Sequence, residues 1–286
     1  MPVAVEPPLE SPRSLEEAYG LLASGDGWRP IAGGTDVMVG IAGEIGEPPK
    51  RLLDIWRLDE LRGIVAQDDA LTLGALTTYT EIRRSPVVAQ HLPALVDAAA
   101  TIGAAQIQNR GTIGGNVVNA SPAGDTLPVL LAGDAEIVLG SARGERVVPA
   151  GEFWTSYRST ARAEDELVLR IRLPIRAGRR VRFRKVGTRR AQAISKVVMA
   201  LAWRPDAGVW RDVRLALGSV AATPVRAAET ERVLEGAAAR QTTADHAAAV
   251  LAGELEPIDD VRSTAEYRRA VAARVLHRLL REEGGW

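Results

Sequence analysis

The chain contains no cysteine. No disulfide can form, and no thiolate is available to ligate an iron–sulfur cluster. Absence of cysteine suits a compartment where thiols stay reduced, so the expected location is cytoplasmic. The three histidines, His91, His246 and His277, are far apart and lack metal-ligand spacing; no metal site is expected on this chain. Neither sign of charge is in excess, with 36 Lys+Arg against 36 Asp+Glu, which argues against a general nucleic-acid binder. Aromatic residues are scarce at 4%, which weakens that reading further. No apolar run reaches the length of a membrane span. No basic stretch followed by an apolar run opens the chain, so no signal peptide is expected.

What is present is glycine in two concentrated places. Arg110 to Asp125 reads RGTIGGNVVNASPAGD, with Gly111, Gly114, Gly115, Pro122 and Gly124 set among small polar residues. This composition predicts a loop, because glycine weakens helix and strand interiors and is placed where the chain turns or approaches something closely. Two readings stand: a backbone cradle for a phosphate-bearing ligand, or an ordinary tight surface loop. Ile31 to Gly40, IAGGTDVMVG, holds the second cluster, Ala32-Gly33-Gly34-Thr35-Asp36, between a short apolar strand and another apolar run. Neither loop matches the Rossmann fingerprint, and no Walker-A pattern occurs in the chain.

The 286 residues correspond to about two domains, and 46% hydrophobic content is ample for sizeable cores. The start, MPVAVEPPLESP, reads as an extended lead-in. Ser14 and Glu17 form a capping box for a helix carrying Leu15, Ala18, Leu21 and Leu22 and ending at Gly25. Strands are expected at 29–32 and 52–55, closing a small α/β unit near Trp56. Further strands are expected within 61–76, broken at Asp68-Asp69, with helices starting at Pro86 and Pro93. An apolar helical turn follows Asp125. A hairpin over 135–149 turns at 140–144, and 166–174 alternates as a strand. A domain boundary is read at 174–180. Beyond it, strands at 181–186, 194–204 and 213–220 suggest an antiparallel sheet. Helices follow from Thr223-Pro224 to Leu234, over 244–255, and over 263–282. The last is capped by Ser263 and Glu266, with Tyr267, Val271, Val275 and Leu279 as its core stripe.

The motifs A-G-G-T-D and T-I-G-G-N-(x)4-S-P-(x)2-D, in this order and separation, resemble the FAD-binding medium subunit of molybdenum hydroxylases. That group contains carbon monoxide dehydrogenase and xanthine dehydrogenase, and the resemblance spans nearly the whole chain. It implies an α+β fold. A two-subdomain FAD-binding region of the PCMH type occupies 1–176, divided near residue 56. A C-terminal domain of three-stranded antiparallel sheet plus helices occupies 177–286. Noncovalent FAD is the implied cofactor. Substrate oxidation is implied on a large partner subunit carrying the molybdenum cofactor. Electrons are implied to arrive through 2Fe-2S clusters on a small partner subunit and to leave to NAD or a quinone. The flavin edge is expected in a cleft between the N-terminal region and the C-terminal sheet. Two other classes remain open: a self-sufficient FAD-dependent oxidase or dehydrogenase, for which no catalytic base can be nominated, and a non-catalytic nucleotide-binding assembly protein.

The resemblance also assigns residues. Ala32 is assigned to the cofactor site, and Gly33, Gly34 and Thr35 on its loop, with Gly114, Gly115 and Asn116 on the other, would bring backbone N–H groups to the pyrophosphate. Thr112 and Asn119 fall on family contact positions. Asp125 matches an acidic residue that holds cofactor hydroxyls; read from the residues alone, the alternative is a helix cap before 127–131, and the two roles are compatible. Asp36 is either a cofactor contact or a side chain bonded within its own turn. Phe183 to Val197, FRKVGTRRAQAISKV, resembles a strand pair beside the flavin. Lys185 there would place a positive charge near the ring, unless it is a solvated strand lysine. Arg189 matches a further family position, whereas Ala193 stands where many relatives have an acid. Residues 170–190 hold ten basic side chains and no acidic one, which reads as a solvated face or a docking surface for a partner.

Overall fold

The computed structural model describes residues 7–42, 49–189 and 192–286; the first half of the lead-in and Arg190 of the basic run fall outside them. Three main sheets follow one another along the chain. In the first, Arg51–Asp54 lies between Leu9–Glu10 and Trp28–Ile31, all parallel. The Leu15–Ala23 helix joins its outer strands. Ser14 caps that helix by accepting from the Glu17 N–H at 3.2 Å, and the Glu17 carboxylate accepts from the Arg13 N–H rather than from Ser14.

The second sheet is antiparallel, in the order Ile64–Gln67, Ala70–Gly74, Leu167–Pro174, Glu136–Ser141, Gly144–Pro149. Asp68 and Asp69 form its first two-residue turn at φ of 51° and 57°, the left-handed geometry that matches strand twist in tight hairpins. Short helices between Tyr79 and Ala132 cover the sheet. Leu95, Ile113, Leu127 and Leu130 pack on Leu71, Leu73, Ile137 and Ile171 in one buried cluster.

The third sheet takes Arg180–Val186, Val197–Asp206 and Val209–Gly218 in antiparallel order, and the two-residue Val225–Arg226 adds an edge strand. This edge displaces the helix expected from Thr223, which starts instead at Ala228. The central strand shows why the sheet has two covered faces. Side chains alternate in direction along a strand: Val198, Ala200 and Ala202 join the cluster of the second sheet, while Val197, Met199, Leu201 and Trp203 face the C-terminal helices. The longest helix is Ala265–Gly284, capped by Thr264 rather than Ser263; the Thr264 hydroxyl accepts from the Tyr267 N–H at 3.2 Å. Its buried stripe is Arg268, Ala272, Leu276, Leu279 and Leu280, one residue on from the expected one at three of four positions, and Tyr267 is 42% exposed. No helix among the described residues is long and apolar enough to cross a membrane.

The basic run is largely at the surface, but it is paired with acids rather than left as bare positive charge. Eight of its ten side chains have acidic partners from other parts of the chain. Arg170 and Arg172 meet Glu145 and Glu136, Arg180 and Arg182 meet Glu283, and Arg184 meets Glu282. Lys185 meets Asp125, and Arg176 and Arg179 meet Asp134 and Asp212. Asp134 also lies 3.3 Å from Arg214 and 3.5 Å from Arg226. One carboxylate beyond the Leu127–Ala132 helix thus gathers four guanidinium groups from the third sheet and its approach. Asp134 has φ of 54°, a conformation that asparagine also tolerates, so Asp134→Asn tests its charge alone. We expect a loss of about 1–3 kcal/mol, read as a lower urea midpoint at constant m. An unchanged midpoint would show that Asp212 and Glu231 neutralise the four arginines unaided.

Candidate functional site

A cleft of about 770 Å³ opens between the first sheet and the helices of the second, a size within the range of cofactor sites. Trp28–Ile31 runs into one wall, formed by Ala32, Gly33, Gly34, Thr35 and Asp36. Thr112, Gly114, Gly115, Asn116 and Asn119 form the facing wall. The sequence therefore brought ten of its twelve nominated residues to one cavity. The other two, Asp125 and Lys185, do not line it. The lining residues run from Leu22 to Val168, so the cleft lies between the two N-terminal subdomains and includes no described residue of the C-terminal sheet.

The two glycine segments differ in what their backbones offer. The second is not a loop: Ile113–Asn119 is a helix, capped by Thr112, whose hydroxyl accepts from the Gly115 N–H at 3.1 Å. Its glycines are tolerated because they occupy the first turn, where a close approach to another segment requires them. The Gly114 N–H donates to the Ala75 carbonyl at 2.9 Å, and a Cβ there would lie 2.7 Å from that same oxygen. The Asn116 N–H donates to Thr112 O at 3.1 Å, and its side-chain oxygen accepts from the Thr126 hydroxyl at 2.5 Å. Three donors nominated for a phosphate are thus already committed within the protein. The first segment is the reverse case. The N–H groups of Gly33, Gly34 and Thr35 reach no protein acceptor among the described residues, and they border the cleft. Backbone donors without partners beside a cavity of this size are what an anionic ligand would satisfy.

The Asp36 side chain bonds neither within its own turn nor to its helix, whose first turn it leaves without a side-chain cap, although its carbonyl accepts from the Val39 N–H. Its carboxylate accepts from Asn119 Nδ2 at 3.0 Å, across the cleft mouth. Asn119 Oδ1 in turn accepts from Arg158 Nη1 at 2.8 Å. Deeper in the cleft, Tyr79 is buried, and burial together with the Asp125 charge pushes its phenol up. Arg162 donates to the carbonyls of Ala163, Glu164 and Glu166. Glu166 is held by Arg146 at 2.6 and 2.7 Å; this pairing, chiefly, holds its carboxyl below the usual carboxylate value. The indole N–H of Trp28, another lining residue, is buried without a partner among the described residues. Trp28, Tyr79, Arg158 and Arg162 were not singled out in the sequence, where none stands in a motif or a turn signature.

Asp125 is 6% exposed and fully engaged. Oδ2 accepts from Lys185 Nζ at 2.5 Å and from the Thr101 hydroxyl at 3.0 Å, and Oδ1 accepts from Ser195 Oγ at 2.5 Å. It is also not a helix cap, since Thr126 occupies that position. The Lys185 side chain, 6% exposed, is correspondingly no solvated lysine. Arg189 donates to the Gln192 carbonyl, closing its own loop.

Comparison with known proteins agrees in both halves of the chain. The family described as the FAD binding domain in molybdopterin dehydrogenase matches residues 5–176, and the CO dehydrogenase flavoprotein C-terminal domain matches 182–283. The chain is 35% identical to the glyceraldehyde dehydrogenase medium chain of Sulfolobus acidocaldarius, covering 90% of this chain and 91% of that one. It is 32% identical to the carbon monoxide dehydrogenase medium chain of Hydrogenophaga pseudoflava, covering 94% of each. A solved structure of carbon monoxide dehydrogenase from Hydrogenophaga pseudoflava, lacking the Mo-pyranopterin moiety of its cofactor, superposes with a TM-score of 0.92 over 96% of both chains at 31% identity.

Two substitutions test the packing around the cleft. Gly114→Ala should lower stability by about 1–3 kcal/mol through overpacking against Ala75, seen as a lower melting temperature of the FAD-free chain. A melt unchanged by the added methyl would refute this close approach. Asp125→Asn keeps the shape but leaves the Lys185 ammonium buried without its counter-charge, at a cost of about 3–5 kcal/mol. Denaturation of the FAD-free chain measures it; the double change Asp125→Leu, Lys185→Met should recover much of the loss. A single variant as stable as the parent would mean that the pair contributes nothing to the fold.

Proposed function

This chain belongs to the family of FAD-binding medium subunits of molybdopterin-dependent dehydrogenases, and we propose that it is the FAD-carrying electron-transfer subunit of such a complex. The observation that carries the assignment of the site is the row of uncommitted N–H groups at Gly33, Gly34 and Thr35 on the wall of a dinucleotide-sized cleft. These groups would hold the pyrophosphate. Tyr79, Ile102, Ile107 and Val118 would supply apolar lining for a ring system, excluding water from it. Bound FAD supplies a centre that exchanges electrons singly or in pairs.

The chain's own residues favour a relay over a self-sufficient oxidase. Such an oxidase needs a base poised near neutral pH within reach of its substrate. Asp36 is bonded to Asn119, Glu166 is locked to Arg146, and Tyr79 is pushed up by burial; the remaining lining carboxylate, Glu164, is exposed to solvent rather than enclosed in the cleft. With no cysteine in the sequence, electrons would come from an iron–sulfur subunit served by a molybdenum-cofactor subunit, and would leave to NAD or a quinone-type acceptor. The protein should purify yellow with noncovalent FAD. Under anaerobic conditions, substrates of this enzyme class should leave its flavin absorbance unchanged with the chain alone and bleach it once the partner subunits are added. Prompt bleaching of the isolated chain by a substrate would overturn the relay in favour of a self-sufficient flavoenzyme.

A further inference from the structure

The hairpin of Trp154–Ser156 and Ser159–Thr160 stands at the cleft mouth, with Arg158 in its two-residue turn at φ of 53°. Its root is fixed. The Trp154 indole N–H donates to the Val117 carbonyl at 3.0 Å, inside the core, and its ring meets Phe153 edge-on at 5.7 Å. At the tip, Arg158 Nη1 donates to Asn119 and lies 4.0 Å from Asp36 Oδ2. Asn119 donates to Asp36. Three separate segments therefore meet in one polar contact: the Ala32–Asp36 loop, the end of the Ile113–Asn119 helix, and the hairpin.

An arginine offers five N–H donors in a fixed fork. Arg158 spends one on Asn119, and its Nε and Nη2 make no hydrogen bond among the described residues. The other arginines of the cleft are placed differently: Arg162 has its Nη1 committed to three carbonyls, and Arg29 stands near enough to Arg162 for mutual repulsion. Asp36 sits directly after the uncommitted N–H groups of Gly33 to Thr35. A phosphate bound to those groups would face the Asp36 carboxylate, and like charges at that range repel unless a cation stands beside them.

We infer that Arg158 is that cation: a phosphate-binding residue at the cleft mouth, oriented by Asn119 and Asp36, that screens Asp36 and offers its remaining donors to the ligand's phosphate groups. The inference rests on the cleft being a dinucleotide site. It assigns Asn119 and Asp36 as positioning residues for Arg158 rather than as direct cofactor contacts. Charge-assisted hydrogen bonds to phosphate favour the planar guanidinium, so the charge and the fork should both matter.

The test is titration of the FAD-free full chain with FAD and with riboflavin, which has no phosphate, at several salt concentrations. Arg158→Gln should raise the Kd for FAD by about ten- to a hundred-fold, flatten its salt dependence, and leave riboflavin binding within about two-fold. Arg158→Lys should recover part of the affinity and most of the salt dependence. Asn119→Ala should weaken FAD less than Arg158→Gln and keep the salt dependence. An Arg158→Gln variant that binds FAD as the parent does, with the parent's salt dependence, overturns the inference. So does an equal loss for riboflavin, because the hairpin would then act on cleft shape alone. Where riboflavin binds too weakly to titrate, the salt dependence decides. A parent chain that binds no FAD overturns the dinucleotide site itself, a failure recognisable before any variant is made.

Discussion

The cleft exists because two backbones come closer than side chains would allow. A Cβ on Gly33 would collide with the Arg110 carbonyl, and one on Gly114 with the backbone of Ala75. The Gly33 contact holds the first subdomain against the helices of the second, and the Gly114 contact seats one of those helices on the end of the Ala70–Gly74 strand. They also explain why the ligand-facing donors belong to one segment only. At Gly114 the close approach is itself a hydrogen bond, so that N–H is consumed in building the wall. At Gly33 the approach comes from the side, and the N–H groups of Gly33, Gly34 and Thr35 stay free of protein acceptors among the described residues. Glycine serves packing in both places; only in the first does it leave backbone polarity for a ligand.

Electrostatics ties the remaining parts together. A run of ten basic residues without an acid between them is locally one-sided, yet the folded chain distributes it over partners distant in sequence. Arg182 reaches Glu283 and Lys185 reaches Asp125. Most of these pairs are partly exposed and individually weak. The Asp125–Lys185 pair and the Asp134 cluster differ, because each joins the second sheet's helices to the third sheet. Their geometry specifies how those units meet, in addition to the apolar contacts of Val198, Ala200 and Ala202 with the same helices.

Much of the architecture was legible, because period-2 and period-3.6 patterns report burial directly. The antiparallel C-terminal sheet and the capped first helix follow from residues such as Ser14, Gly25 and 194–204, whereas the pairing of the two glycine segments came from the family resemblance. What escaped is what depends on contacts across the chain. Ile113–Asn119 is a helix despite Gly114 and Gly115, since Thr112 caps it and the tight fit on Ala75 compensates a poor propensity. Thr264 rather than Ser263 starts the last helix, and packing turns its buried stripe onto Arg268, whose Nη1 and Nη2 meet the carbonyls of Lys196 and Ser219 and the Asp260 carboxylate while Nε has no partner among the described residues. Asp36 was read as local or cofactor-facing, whereas its partner is 83 residues away. Asp125 carries a family motif, but its neighbours Lys185 and Ser195 come from the third sheet and the loop before its central strand, and no spacing rule announces them.

The position of Asp125 explains how a C-terminal domain that lines none of the described cleft still bears on it. Asp125 accepts from the Thr101 hydroxyl, and Lys185 Nζ lies 3.4 Å from the Thr101 carbonyl. Thr101 ends the Pro93–Thr101 helix, and the next residue, Ile102, is part of the cleft wall. The chain turns at Gly103, φ of 52°, and continues to Ile107, another wall residue. Thus the third sheet grips the wall from behind, through one buried ion pair and a threonine. Burial makes that grip stiff, since a charge pair sealed from water cannot be exchanged for solvent at low cost. A wall so fixed keeps its shape whether or not a ligand is present, which is the condition under which uncommitted N–H groups on the opposite side remain aimed at an open site.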